Sequence, residues 1–163
     1  MVEAAADVVV PVSPEAAFAV VTDLAKADWL PAIRGLRHVG GPPRGVGARY
    51  EVEVGLIGRH LEGILVCREE SPPRTFVLEL EDGLDLTVTV TVTELGGGCR
   101  VAISARYSIP GPLGKAAERA SIGVARREAA RAVETLAARF GRKAPLPEVR
   151  PRRASRSSRS GRA

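Results

Sequence analysis

The chain has 163 residues, 45% of them hydrophobic and 26% charged, so it is long enough for one domain that buries a substantial core of its own. Residues 141–163 hold eight of the 24 basic side chains and one of the 19 acidic ones, a net charge of about +7. Residues 1–140 hold the other 16 basic and 18 acidic side chains, a net charge of about −2. The overall charge of +5 therefore belongs to the C-terminal segment, and a basic nucleic-acid-binding face on the domain is not expected.

The spacing of the cysteines and the hydropathy of the chain further limit the class of protein. Cys67 and Cys99 have neither a Cys-x-x-Cys spacing nor a histidine pair nearby, so we predict no zinc site and no disulfide framework, and we expect no metal and no cofactor. No segment approaches the roughly 20 apolar residues that a membrane span requires, and the chain does not begin with a signal-peptide pattern. We therefore expect a cytoplasmic protein.

The first 40 residues predict one strand, two short helices and a second strand. Residues 7–12 read as the first strand, and Ser13-Pro14-Glu15 then supplies a helix cap, a proline at the first helical position and an acid in the first turn. This helix is expected to run to about Val21. A second helical turn is predicted over 24–30, before Pro31, and a short strand over 36–39.

After the breaker-rich loop at 40–47, strands follow one another closely, which favours antiparallel hairpins over crossovers. In several of them apolar residues alternate with polar ones, most regularly in the Thr-Val ladder that follows Leu84, so each strand has one apolar face. The predicted strands of this part of the chain span 49–54, 59–68, 75–80, 84–94 and 100–108.

One long helix is predicted over 113–140, stopped by Gly141. Its apolar residues recur at spacings of three and four, which predicts an amphipathic cover for the sheet. That stripe comprises Ile122, Ala125, Ala129, Val133, Leu136 and Phe140. The small side chains are consistent with close packing on the sheet and equally with a cavity beneath the helix. Residues 142–163, rich in Arg, Ser and Pro, are predicted to form a disordered basic tail.

The chain resembles the START-like superfamily, in particular its polyketide cyclase/dehydrase and lipid-transport group. The order of elements matches, and so do four local segments in the same order along the chain. They are VPVSPEAAFAVVTD at 10–23, WLP at 29–31, GVGARY at 45–50 and EESPPR at 69–74. The resemblance covers about residues 5 to 140 and is carried by structural motifs rather than by catalytic ones.

The resemblance implies an α+β helix-grip fold over residues 1–141. A seven-stranded curved antiparallel sheet would wrap around the long C-terminal helix, with two short helices after the first strand. It also implies a hydrophobic cavity between sheet and helix, which different members use for lipids, polyketides, quinones or hormones, or as a platform for protein contacts. Fold analogy does not fix function, so the candidate site is sought among the inward-facing residues.

The candidate ligand-binding residues come from the inward strand faces, the stripe of the long helix and the sole tryptophan. They are Trp29, Tyr50, Val52, Val54, Phe76, Leu78, Leu86, Val88, Val90, Ile103, Tyr107, Ile122, Ala125, Ala129 and Val133. Tyr50 and Tyr107 are the polar members expected to orient a ligand. Trp29 is interpreted as a core anchor, with a flat apolar wall of the cavity as the alternative.

No catalytic set is predicted. His38 and His60 are isolated and typical of solvated positions, and no Ser-His-Asp set, phosphate loop or carboxylate pair is assembled. The leading hypothesis is therefore binding or carriage of a small hydrophobic molecule that is lipid-, polyketide- or quinone-like. One alternative is a polyketide cyclase/aromatase or dehydratase, so whether the chain is an enzyme stays open. The other is an interaction module whose tail contacts nucleic acid, the ribosome or an anionic membrane.

Overall fold

A computed structural model of the chain describes residues 1–56, 59–82 and 84–141. Within these residues the elements are β1 (Val2–Val10), α1 (Pro14–Thr22), a 3-10 turn (Leu24–Lys26), β2 (Ile33–Gly40), β3 (Arg49–Leu56), β4 (Arg59–Ser71), β5 (Thr75–Glu81), β6 (Asp85–Leu95), β7 (Gly98–Ser108) and α2 (Gly114–Phe140). The predicted tail lies outside the described residues.

The seven strands of the described part form one antiparallel sheet in the order β1-β7-β6-β5-β4-β3-β2. From β2 onward each strand pairs with the next one along the chain, as the hairpin prediction requires. β1 instead pairs with β7, so that Val2 lies opposite Tyr107 and Val10 opposite Cys99. The predicted fold class, a curved seven-stranded sheet gripping one long helix, is confirmed.

The regular alternation of β6 is the clearest link between sequence and sheet. Its valines face inward together with the apolar residues of β7, so that Val90 lies opposite Ile103 and Val92 opposite Val101, all four buried. The threonines between them point to the other face, because successive strand residues alternate in direction.

The two helices cover the inward face of the sheet from different ends. In α1 the Ser13 hydroxyl accepts a hydrogen bond from the Ala16 amide at 3.2 Å, which confirms the predicted cap. α2 packs chiefly on β1 and β7 and ends at Phe140, followed by Gly141 with φ +82°. No helix in the described segments is long and apolar enough to cross a membrane.

Three predicted boundaries near the N-terminus are wrong. The first strand spans Val2–Val10, not 7–12, because its alanines gain backbone hydrogen bonds from β7 that local β propensity does not reveal. The second helical segment is only Leu24–Lys26, and turns carry the chain from there to the next strand. That strand, predicted at 36–39, extends over Ile33–Gly40 through its pairing with β3.

Candidate functional site

A cavity of about 150 Å³ lies between the sheet and α2, partly open to solvent, and its inner surface is almost entirely apolar. It borders the main core cluster, which includes Val52, Leu78 and Ile103, and the smaller cluster around Tyr107 and Ala125. Volume remains there because α2 presents small side chains to this part of the sheet. The prediction that left close packing and a cavity both open is thereby resolved in favour of a cavity.

Nine of the fifteen candidate ligand-binding residues line this cavity. They are Val52, Val54, Leu78, Leu86, Val88, Ile103, Tyr107, Ala125 and Ala129. The strand residues among them are brought together by period-two alternation on several strands, and the two alanines lie one turn apart on α2.

The other six candidates do not line the cavity. Trp29, Tyr50, Phe76, Val90 and Val133 are buried in the main core cluster with residues of α1, and Ile122 packs against the smaller cluster. The inward face of the sheet is longer than the cavity, and α1 together with Trp29 fills the remaining length. Trp29 is 1% exposed and thus occupies the core-anchor position that the sequence favoured.

Thirteen further residues complete the wall. They are Leu30, Pro31, Ala32, Ile33, Leu61, Glu62, Gly63, Leu65, Leu80, Leu84, Ala105, Glu128 and Ala132. The predicted helical turn was expected to end at Leu30, before Pro31, and residues 30–33 instead form a stretch of wall beside β3. Leu80, Ala132 and Leu65 follow the same strand and helix periodicities as the candidate residues, so the sequence pattern could have identified them.

Glu128 is one of two charged residues in the wall, with Glu62, that were not predicted from the sequence. It lies three residues after Ala125 and four before Ala132, so helical spacing places it on the inward face of α2. Its Oε1 accepts a hydrogen bond from Arg131 Nη1 at 2.9 Å. Its Oε2 is buried and has no hydrogen-bond partner among the described residues. Glu62, the other acid in the wall, is exposed to solvent.

The hydroxyl proton of Tyr107 is used in a hydrogen bond within the protein. It forms a hydrogen bond with the buried Ser121 hydroxyl, and Ser121 in turn donates to the Glu118 carbonyl at 2.7 Å. Because Ser121 has one hydroxyl proton, and that proton goes to Glu118, Tyr107 is the donor of its pair. Tyr107 therefore offers a ligand its ring and the lone pairs of its oxygen.

Tyr50, the other tyrosine expected to orient a ligand, lies outside the cavity wall. Its hydroxyl donates to the Pro43 carbonyl at 3.4 Å, and the His38 ring meets it edge-on at 5.5 Å between centroids. Burial raises the pKa of Tyr50 above its ordinary value. These contacts assign Tyr50 to the packing of β3 against the 40–47 loop.

The remaining chemically reactive residue types lie elsewhere. Burial raises the pKa of the Cys67 thiol to about 11, which keeps it protonated and unreactive, and burial raises the pKa of Cys99 as well. His60 pairs with Glu53 on an exposed face. Across 1–56, 59–82 and 84–141 no group of three His, Cys, Asp or Glu side chains is placed to hold a metal ion.

Comparison with protein families gives a match that spans most of the chain. Residues 1–141 match the family described as polyketide cyclase/dehydrase and lipid transport. A search of the curated proteins finds none that matches.

Solved structures agree with this match at the level of the fold. TTHA0849 from Thermus thermophilus is 17% identical with a TM-score of 0.72, and the alignment covers 85% of this chain and 96% of that one. A START superfamily protein from Mycobacterium smegmatis is 16% identical with a TM-score of 0.66, covering 85% and 96%. The di-domain ARO/CYC BexL of the BE-7585A biosynthetic pathway is 18% identical with a TM-score of 0.61, covering 83% of this chain and 46% of that one. At these identities the likeness shows a shared architecture alone.

Proposed function

We propose that this chain, which belongs to the polyketide cyclase/dehydrase and lipid transport family, binds a small hydrophobic molecule in the cavity between its sheet and α2. The observation that carries the proposal is the cavity itself, whose inner surface is nearly all carbon and whose wall includes nine residues selected from sequence. Water in an apolar space of this kind has few hydrogen-bond partners, so an apolar ligand enters without displacing well-bound water.

The volume sets the size of the enclosed group. A dry apolar cavity of about 150 Å³ in another protein accommodates benzene, so the space here suits one aromatic or quinone ring, or a short alkyl segment. Burial of a ring-sized apolar surface contributes about 4 to 6 kcal/mol before the costs of association. The rest of a larger lipid-, polyketide- or quinone-like ligand would extend through the open side of the cavity.

Fluorescence of Trp29 supplies a direct test. It is the sole tryptophan and immediately precedes the wall segment 30–33, so an occupied cavity should change its emission. Titration with the neutral probe 4-butylanisole to millimolar concentration should give a saturable change. Absence of saturation, checked by chemical shifts of the cavity methyl groups in NMR spectra, would contradict the proposal.

A matched pair of variants on α2 localises the binding. Ala129 is buried in the cavity wall, whereas Ala130 is the next residue and is exposed. Ala129→Phe should fill the cavity and reduce the affinity for 4-butylanisole at least tenfold, while Ala130→Phe should leave it unchanged. Equal affinities in folded samples of both variants would place the binding site elsewhere.

Cyclisation or dehydration of a polyketide-like substrate is a second candidate, favoured by the carboxylate of Glu128. Removal of a proton next to a carbonyl requires a base at the ligand, and Glu128 is the cavity-lining acid that is largely buried. This candidate predicts product formation from an aromatic-polyketide precursor, detected by mass spectrometry, and its loss in Glu128→Gln. Product formation that persists in this variant would exclude Glu128 as the base.

A further inference from the structure

We infer that Glu128 makes the cavity selective for hydrophobic molecules that carry a hydroxyl donor, and that it disfavours carboxylates. The inference rests on the proposed function and names the class of ligand. Its starting point is that Glu128, a member of the largely apolar wall, has one buried carboxylate oxygen without a hydrogen-bond partner among the described residues.

The sequence context makes Glu128 exceptional on its helix. The inward stripe of α2 through this region consists of Ala125, Ala129 and Ala132, continued by Leu136, and all four are buried. A charged residue on such a stripe loses solvation that a surface position would retain. The side chain of Glu128 is 22% exposed, and the exposed part reaches Arg131, whose side chain is 64% exposed.

The two carboxylate oxygens have different surroundings. Oε1 accepts the hydrogen bond from Arg131 at 2.9 Å at the surface of the helix, whereas Oε2 is buried without a partner among the described residues. A buried acceptor without a donor costs free energy, more so when it belongs to a charged group. A hydroxyl on the ligand would supply the missing donor after a small rotation of the Glu128 side chain, and the long exposed side chain of Arg131 is able to follow Oε1.

Among the wall positions in the described part of the chain, Glu128 is the largely buried charged acceptor. The Tyr107 oxygen, whose proton is donated to Ser121, is a neutral and therefore weaker acceptor, and Glu62 is exposed to solvent. A ligand carboxylate would lie near Glu128 and Glu62 with no basic residue among the wall positions, so like-charge repulsion and desolvation both oppose its entry.

Three probes of similar shape test this selectivity at pH 7: 4-butylphenol carries the donor, 4-butylanisole has the donor capped by a methyl group, and 4-butylbenzoate carries a negative charge. A hydrogen bond to a charged acceptor supports an expected preference of about tenfold or more for the phenol over the anisole. The benzoate should bind at least tenfold more weakly than the anisole. Glu128→Leu should bring the phenol-to-anisole ratio close to one and restore part of the benzoate affinity.

Glu134→Leu, on the exposed face of the same helix, is the control and should retain the wild-type order of affinities. Should the wild-type protein bind the phenol and the anisole equally, or should the preference survive in Glu128→Leu, the inference is overturned while the proposed function stands. Failure of all three probes to bind overturns both. Thermal melting of each variant shows that differences in affinity do not arise from unfolding.

Discussion

A polar side chain beside an apolar cavity can bind a ligand only through hydrogen-bonding groups that have no partner within the protein. Tyr107 and Glu128 both belong to the wall, yet the tyrosine proton is donated to Ser121 and one oxygen of the glutamate has no donor among the described residues. The tyrosine is therefore a structural residue that offers a ligand its ring and the lone pairs of its oxygen, and the carboxylate is the charged acceptor available to a ligand. Residue type alone favoured the opposite assignment, since tyrosines were the expected orienting groups.

Replacement of Tyr107 by phenylalanine separates these roles. Tyr107→Phe removes the buried hydrogen bond to Ser121 and should lower the free energy of unfolding by about 1 kcal/mol, measured by urea denaturation. Because the ring stays in place, affinity for 4-butylanisole should remain unchanged. A double-mutant cycle with Ser121→Ala measures the coupling between the two hydroxyls, and a coupling near zero would contradict the assignment.

At the level of secondary structure, features fixed by local chemistry were predictable and those fixed by distant pairing were not. The Ser13 cap and the alternation of β6 depend on neighbours in sequence, and both are found as predicted. The extension of β1 back to Val2 depends on β7, about 100 residues away, which no local pattern contains.

The extent of the cavity also depends on packing between elements that are distant in sequence. Val88 and Val90 share one face of β6, yet Val88 lines the cavity and Val90 is packed in the core cluster that α1 helps to form. Strand periodicity determines which face a residue is on, and the packing of α1 determines which part of that face is filled. Glu128 fits the helical spacing of the inward stripe, but it was not predicted as a wall residue because charged residues are usually assigned to solvent-exposed positions.

Two glycines of the β6–β7 hairpin give a matched test of the pairing between β1 and β7. A Cβ atom at Gly98 would lie 2.2 Å from the Val10 carbonyl oxygen, whereas one at Gly96 would meet nothing within 4 Å. Gly98→Ala should therefore force the end of β1 away and destabilise the fold by about 1 to 3 kcal/mol, as overpacking does. Gly96→Ala should change stability far less in the same denaturation experiment, and equal effects would contradict the close approach of the two strands.

Across the whole molecule, the family match and the balance of charge change at the same place. The family match ends at residue 141, α2 ends at Phe140, and the basic residues that give the chain its positive charge follow Gly141. The part that holds the cavity is slightly acidic by itself. Ligand binding and any contact with polyanions are thus expected to be separate properties of separate segments.

Truncation after Gly141 tests that division. Removal of 142–163 takes away eight basic residues and one acidic residue, so the net charge falls by seven, from +5 to −2. The melting temperature and the affinity for 4-butylanisole should be unchanged, because every residue of the cavity wall precedes 141. A lower melting temperature would instead show that the domain extends into the tail.

Where the full chain binds RNA or anionic vesicles, that binding should weaken steeply with salt and disappear on truncation, since Arg–phosphate contacts release counterions. Polyanion binding that persists in the truncated chain would contradict a role for the tail and shift attention to the domain surface.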